Sequence, residues 1–152
     1  MGHLYTWLKL LHVLAAIVWM GGFVAMWFLM ARLLKAGDLS VLQGYWKAVE
    51  AFGGAVMGAA SGLTFLLGVI AAIVRHQFVM LWVQLGLALI IVLFVLGGVM
   101  VGPAARRLKA ALAAPEGDAA AVAAAGHRLV ALYRIYLLLL LVAVGVMVLK
   151  PV

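Results

Sequence analysis

Four long apolar runs, covering about residues 4–34, 52–74, 78–105 and 129–149, decide most of what this chain can become. A helix needs about 20 apolar residues to cross the hydrocarbon core of a bilayer, and each run meets or nearly meets that length. None shows the period-two alternation of a barrel strand. Inside lipid the backbone amides and carbonyls must pair within their own segment, which leaves the helix. The chain has 152 residues and is 70% hydrophobic, well above the half-apolar balance of soluble domains. Little remains for a separate soluble domain. The expected fold class is all-α: a polytopic membrane four-helix bundle formed by one domain over residues 1–152.

The connections set the orientation. Arg75, His76 and Gln77 read as a tight turn, whereas residues 35–51 form a longer link in which Asp38 or Ser40 caps a short helix. Leu39, Leu42, Trp46 and Val49 share one face of that helix, as in a helix lying at the interface. The third helix is expected to run on through "ARRLKAALAA" and stop before Pro115, with Asp118 capping the last one. Arg32, Lys35, Lys47, Arg106, Arg107, Lys109 and Arg128 gather in the first and third connections. By the positive-inside rule these connections are cytoplasmic and both termini lie outside. The net charge of +7 is thus a matter of topology and gives no reason to expect a nucleic-acid partner. The first run is too long for the apolar part of a cleaved signal peptide. With no cysteine in the chain, disulfides, thiolate metal sites and cysteine nucleophiles are excluded.

Within "WLKLLHVLAAIVWMGG", His12 stands roughly 12 Å below the outer end of the first helix at about 1.5 Å per residue. Ionisable groups at such depth are candidates for function, and His12 is the leading candidate ligand for a cofactor or metal. Lys9 shares its face and is a candidate partner for an anionic group such as a propionate. Counting about eight residues inward from the outer end of each other run brings Gly68, Gly86 and Gly145 to the level of His12. Gaps of that kind are what a flat macrocycle between helices needs. Gln84 and Arg75 are further candidates for holding it, and His76 is a candidate second metal ligand. His3 could bind Cu(II) together with the amino terminus. His127 reads as an interface residue at the start of the last span, and Arg134, about two turns into it, as a snorkelling side chain or a partner for a quinone head or a propionate. The eight methionines read as scattered soft donors or packing groups. Gly54, Gly58 and Gly62 form a ridge suited to close helix packing. No HExxH, CxxC, Walker loop or GxGxxG motif occurs, and no catalytic residue is assigned.

"WLKLLHVLAAIVWMGGF", with a lysine, a histidine three residues on, and then tryptophan and glycine, resembles the first span of two related groups. These are the HemJ-type protoporphyrinogen oxidases and the copper-resistance-D-like membrane proteins. "LYRIY…VMVLKPV" also resembles the HemJ-type ending. The resemblance implies a bacterial inner-membrane, multi-pass protein that binds haem b through His12. It would have a redox role, either electron transfer or oxidation of a porphyrin or quinol. A homo-oligomer is a separate expectation. Its second axial ligand would be His76, a group from a neighbouring subunit, or none. Where the HemJ-type family carries a lysine early in span three, this chain has Gln84. The family's Asn-Glu-Xaa-Pro element is absent from the last span, where Tyr136, Leu137 and Leu138 run on. The copper-resistance-D side of the resemblance implies copper handling through His12, His3 and methionines. A cofactor-free accessory subunit is the third expectation.

Overall fold

The computed structural model describes residues 2–114 and 118–151. Helix α1 (Gly2–Ala36) is followed by α2 (Leu39–Ala48), α3 (Gly54–Val74), α4 (Leu81–Leu96), α5 (Gly102–Ala113) and α6 (Ala119–Leu149). Among the described residues four helical stretches are long and apolar enough to cross a membrane: His3–Ala36, Gly54–Val74, Leu81–Ala113 and Ala119–Leu149. The protein is an all-α bundle with the character of a multi-pass membrane protein.

Two π-helical turns refine the expected pattern. Val49–Gly53 joins α2 to α3, and Gly97–Val101 joins α4 to α5, with helical dihedrals at both junctions. What reads as an interfacial helix followed by a span is therefore one continuous helix carrying a π-bulge. Each bulge inserts residues into the helical ladder and turns the faces before and after it to different neighbours. Pro103 follows directly on the second π-turn inside this continuous helix, and the local break in the ladder accommodates its missing N–H. The final helix starts at Ala119, well before the apolar run that begins at residue 129. The alanines ahead of that run are the strongest helix formers, though only mildly apolar.

Both expected caps are present. The Asp38 carboxylate accepts hydrogen bonds from the Ser40 and Val41 amides, and the Asp118 carboxylate accepts from Ala120 and Ala121. The Ser40 hydroxyl and the Val41 amide hold the Asp38 carboxyl below its ordinary pKa. Its capping contribution is complete above the usual aspartate value of about 3.9 and fades only as pH falls through the lower folded value. The expected stop before Pro115 lies at the edge of residues outside the described ones. Removing the second cap by Asp118→Ala is expected to cost about 1 kcal/mol, measurable as a lower unfolding midpoint in detergent.

In the bundle α1 packs along α3 and α6, and α4 packs along α6, while α3 and α4 touch little. The α1–α3 contact is antiparallel and uses small residues. Met57 fills the space beside Gly22, and His12 lies against Gly68. The ridge that α3 offers α1 runs through Ala60, Thr64 and Gly68, of which Ala60 and Thr64 are buried. On the expected ridge of Gly54, Gly58 and Gly62 a Cβ would meet nothing within 4 Å at any position, and Gly54 borders a cleft rather than a helix. It makes no close helix contact within the protomer.

At the end formed by α2, α5 and the start of α6, Leu42, Trp46, Leu108, Leu112, Val122 and Leu129 build a buried layer. Gln43 fastens it by donating to the Leu112 carbonyl at 2.9 Å, and the Tyr45 hydroxyl donates to the Met26 carbonyl at 3.2 Å. Burial raises the Tyr45 hydroxyl to a pKa of about 12, so it remains a donor at physiological pH. The Leu39–Val49 face of α2 is thus turned into the protein. At mid-height an aromatic layer crosses the bundle. Phe23 and Tyr136 stack with centroids 4.3 Å apart, Trp19 contacts Phe94 and Tyr136 at 6.2 Å each, and Phe65 meets Phe94 at 5.8 Å.

Candidate functional site

On the other side of the aromatic layer the four long helices enclose a cavity of about 550 Å³. That is the size range of small-molecule and cofactor sites. Its depth is set by Trp19 and Phe65, and its walls by apolar residues of α1, α3, α4 and α6. The weak contact between α3 and α4 leaves room for it. Without a hydrophobic driving force between spans in lipid, helices stay together only where their surfaces fit closely. The α1–α3 pair has such a fit and the α3–α4 pair largely lacks one.

His12 lies in the cavity wall. Its Nδ1 is 2.7 Å from the Thr64 carbonyl oxygen. A carbonyl only accepts, so Nδ1 carries the proton and donates, and in the neutral ring Nε2 keeps its lone pair. Among the described residues Nε2 has no hydrogen-bond partner. Gly68 makes the arrangement possible, because a Cβ there would stand 2.9 Å from Cε1 and 3.1 Å from Nδ1 of the imidazole. Thr64 is 3% exposed, and its hydroxyl turns back to the Ala60 carbonyl at 2.7 Å. The side chain therefore leaves the backbone oxygen to the histidine.

The mouth is basic and aromatic. Lys9, Lys150, Tyr5, Gln77 and Trp82 line it. Arg75 sits over the Tyr5 ring at 4.8 Å and the Lys150 ammonium over the Trp82 ring at 5.5 Å. The two contacts tie the end of α3 to the start of α1, and the end of α6 to the start of α4. Lys150 reaches Trp82 from a left-handed residue with φ of 47° that ends α6.

The expected site residues divide. His12, Lys9 and Gly68 meet at the cavity. Arg75 reaches it only through Tyr5. Gly86 is buried, but the space its absent Cβ leaves is filled by the Met147 methyl group, so the chain itself closes that gap. Gly145 has open space where a Cβ would stand and does not line the cavity. Gln84 is exposed and donates to the Phe78 carbonyl at 3.1 Å, away from the lining. His76 is exposed, holds a left-handed φ of 53° in the turn after α3, and does not line the cavity. His3, His127 and Arg134 are exposed and line neither this cavity nor the smaller one at the far end. Lys150, Gln77, Trp82, Met20 and Met147 are lining residues not singled out as site residues from the sequence. The Thr64 carbonyl, a backbone atom, has no sequence signature at all.

Among the described residues no three His, Asp or Glu side chains gather as a metal site. A bare transition ion needs three or four protein donors. A single imidazole suffices only for a metal that brings its other ligands with it. In comparisons with known proteins, no family model, curated protein or solved structure matches the chain.

Proposed function

We propose that the chain is a haem b-binding membrane protein with a redox role, in which the large cavity would hold the haem and the His12 Nε2 would be the protein's ligand to its iron. One observation carries this reading: an imidazole whose Nδ1 proton is given to the Thr64 carbonyl, with an unpartnered Nε2, in the wall of a 550 Å³ apolar cavity. Metal-ligating histidines almost always donate their other ring N–H in this way, which fixes the tautomer and strengthens the donor nitrogen. The residues fit the group. A porphyrin supplies four of the iron ligands itself, the walls are apolar, and Lys9 and Lys150 at the mouth suit propionates. The resemblance of the first span to haem-binding membrane proteins supports the same reading, as does the outward placement of this end by the positive-inside rule.

When bound, haem supplies a one-electron centre whose potential depends on ligand identity, burial and nearby hydrogen bonds. The chain provides the rest. Thr64 and Gly68 orient the imidazole, Trp19 and Phe65 close the floor against water, and the lysines orient the anionic edge. Met20 and Met147 line the same cavity and add soft thioether surface to its apolar walls.

The two methionines that share the cavity with His12 also support a second reading, Cu(I) handling, because soft thioethers favour that ion. The test is the absorption spectrum of the purified protein, oxidised and reduced, with elemental analysis, for wild type and His12→Ala. A Soret band that is lost or shifted in the variant is the expected result. Stoichiometric copper without a Soret band would replace haem by copper. A colourless, metal-free protein, indifferent to loss of His12, would leave a cofactor-free accessory subunit.

A further inference from the structure

A second, smaller cleft of about 270 Å³ lies beyond the aromatic layer at the opposite end of the bundle. The π-turn Val49–Gly53 and the start of α3 form one wall, and α5 forms another. Met26 and Met57 make its depth apolar, while Glu50, Arg106 and Lys109 stand at the exposed rim. Its height is defined by the chain. Gly54 begins the second span, and in the third helix the apolar run gives way to Arg106 and Arg107 after Ala105. The cleft therefore straddles the level where hydrocarbon gives way to headgroups.

Among the described residues the rim holds one cation without a carboxylate partner: Lys109 is paired with Glu50 at 2.8 Å, whereas Arg106 has none. A purely apolar molecule would leave that guanidinium unanswered. A small water-soluble anion would leave the walls at Met26 and Met57 uncovered. An amphiphile with a phosphate meets both demands, and the guanidinium fork suits phosphate oxygens.

We propose that this cleft binds an anionic phospholipid of the adjoining leaflet, its phosphate on Arg106 at the rim and part of an acyl chain against Met26 and Met57. The site is independent of any cofactor in the large cavity. A basic side chain near a membrane surface contributes enough attraction to an anionic lipid for its loss to lower occupancy about fivefold.

The test is native mass spectrometry of the full chain released from bilayers of equal parts phosphatidylglycerol and phosphatidylcholine. Wild type should retain phosphatidylglycerol preferentially. Arg106→Gln should lose that retention about fivefold, and Arg106→Lys should keep most of it. Arg107→Gln, an exposed neighbour on α5 that does not line the cleft, should behave as wild type. Equal retention of the two lipids would overturn the proposal. So would equal losses in Arg106→Gln and Arg107→Gln, which would mean a diffuse surface charge. If inorganic phosphate bound in place of lipid and no phospholipid were retained, the site would belong to a free anion and the proposal would fall.

Discussion

If the large cavity takes haem as proposed, Gly68→Val should abolish its binding as effectively as His12→Ala, although it leaves the histidine in place. Even a single methyl group at position 68 would stand 2.9 Å from the imidazole Cε1 and 3.1 Å from Nδ1. Both distances are well inside van der Waals contact, and the two γ-carbons of valine extend the clash. The ring cannot retreat and still keep Nδ1 at 2.7 Å from the Thr64 carbonyl. Losing a hydrogen bond of this kind, which orients the ligand without touching the metal, typically lowers metal affinity by about 10–100-fold. The measurement is haem retention by absorption after purification, set beside ¹⁵N shifts of the imidazole in the cofactor-free protein. The shifts should report the Nδ1-protonated tautomer in wild type and its loss in the variant. Gly145→Ala is the control, because a Cβ there meets nothing within 4 Å, and it should bind as wild type. If Gly68→Val retained haem normally, the ligating imidazole would not be the one held by Thr64.

The contrast between these two glycines also shows what can be read from the residues alone. Counting along the helix axis gives height, so Gly68, Gly86 and Gly145 come out level with His12. Counting does not say which way each position faces. That depends on how the helices are rotated against one another, and here α3 turns Gly68 onto the imidazole while Gly86 is filled by Met147. The same limit explains the glycine ridge of Gly54, Gly58 and Gly62. Its spacing suits close packing, but α1 chose the neighbouring row through Ala60 and Thr64. Spans, caps and the turn after α3 were legible because each rests on local chemistry: apolar length, an aspartate two residues ahead of free amides, a short polar break. The π-turns were not, because nothing in "VEAFG" or "GGVMV" distinguishes them from an ordinary helical turn. The lower cleft, built around the first of them, was hidden for that reason. Lys150 was hidden because it reads as a terminal charge until a left-handed residue and the Trp82 ring fold it back to the cavity.

Trp19→Ala should produce the largest loss of stability of any single truncation in the spanning region, with or without cofactor. Trp19 is 1% exposed, contacts Phe94 and Tyr136, and forms part of the cavity floor. Truncating a buried tryptophan costs about 3–5 kcal/mol in water-soluble proteins, part of it transfer free energy and part the cavity left behind. In a membrane the transfer part shrinks, because lipid is as apolar as the core. The lost packing and aromatic contacts remain. The effect should therefore fall near the lower end, about 3 kcal/mol, read as a shifted midpoint in reversible denaturation from mixed micelles. Trp7→Ala provides the comparison: Trp7 is 63% exposed, and its loss should move the midpoint by no more than about 0.5 kcal/mol. His12→Ala removes one hydrogen bond and should cost only about 1 kcal/mol in the cofactor-free protein. The two variants therefore separate scaffold from site. Trp19→Ala should weaken the bundle first and ligand binding as a consequence, while His12→Ala should abolish binding on a bundle that still folds. An unchanged midpoint for Trp19→Ala would mean that the aromatic layer does not close the bundle, and the floor assigned to the cavity would have to be sought elsewhere.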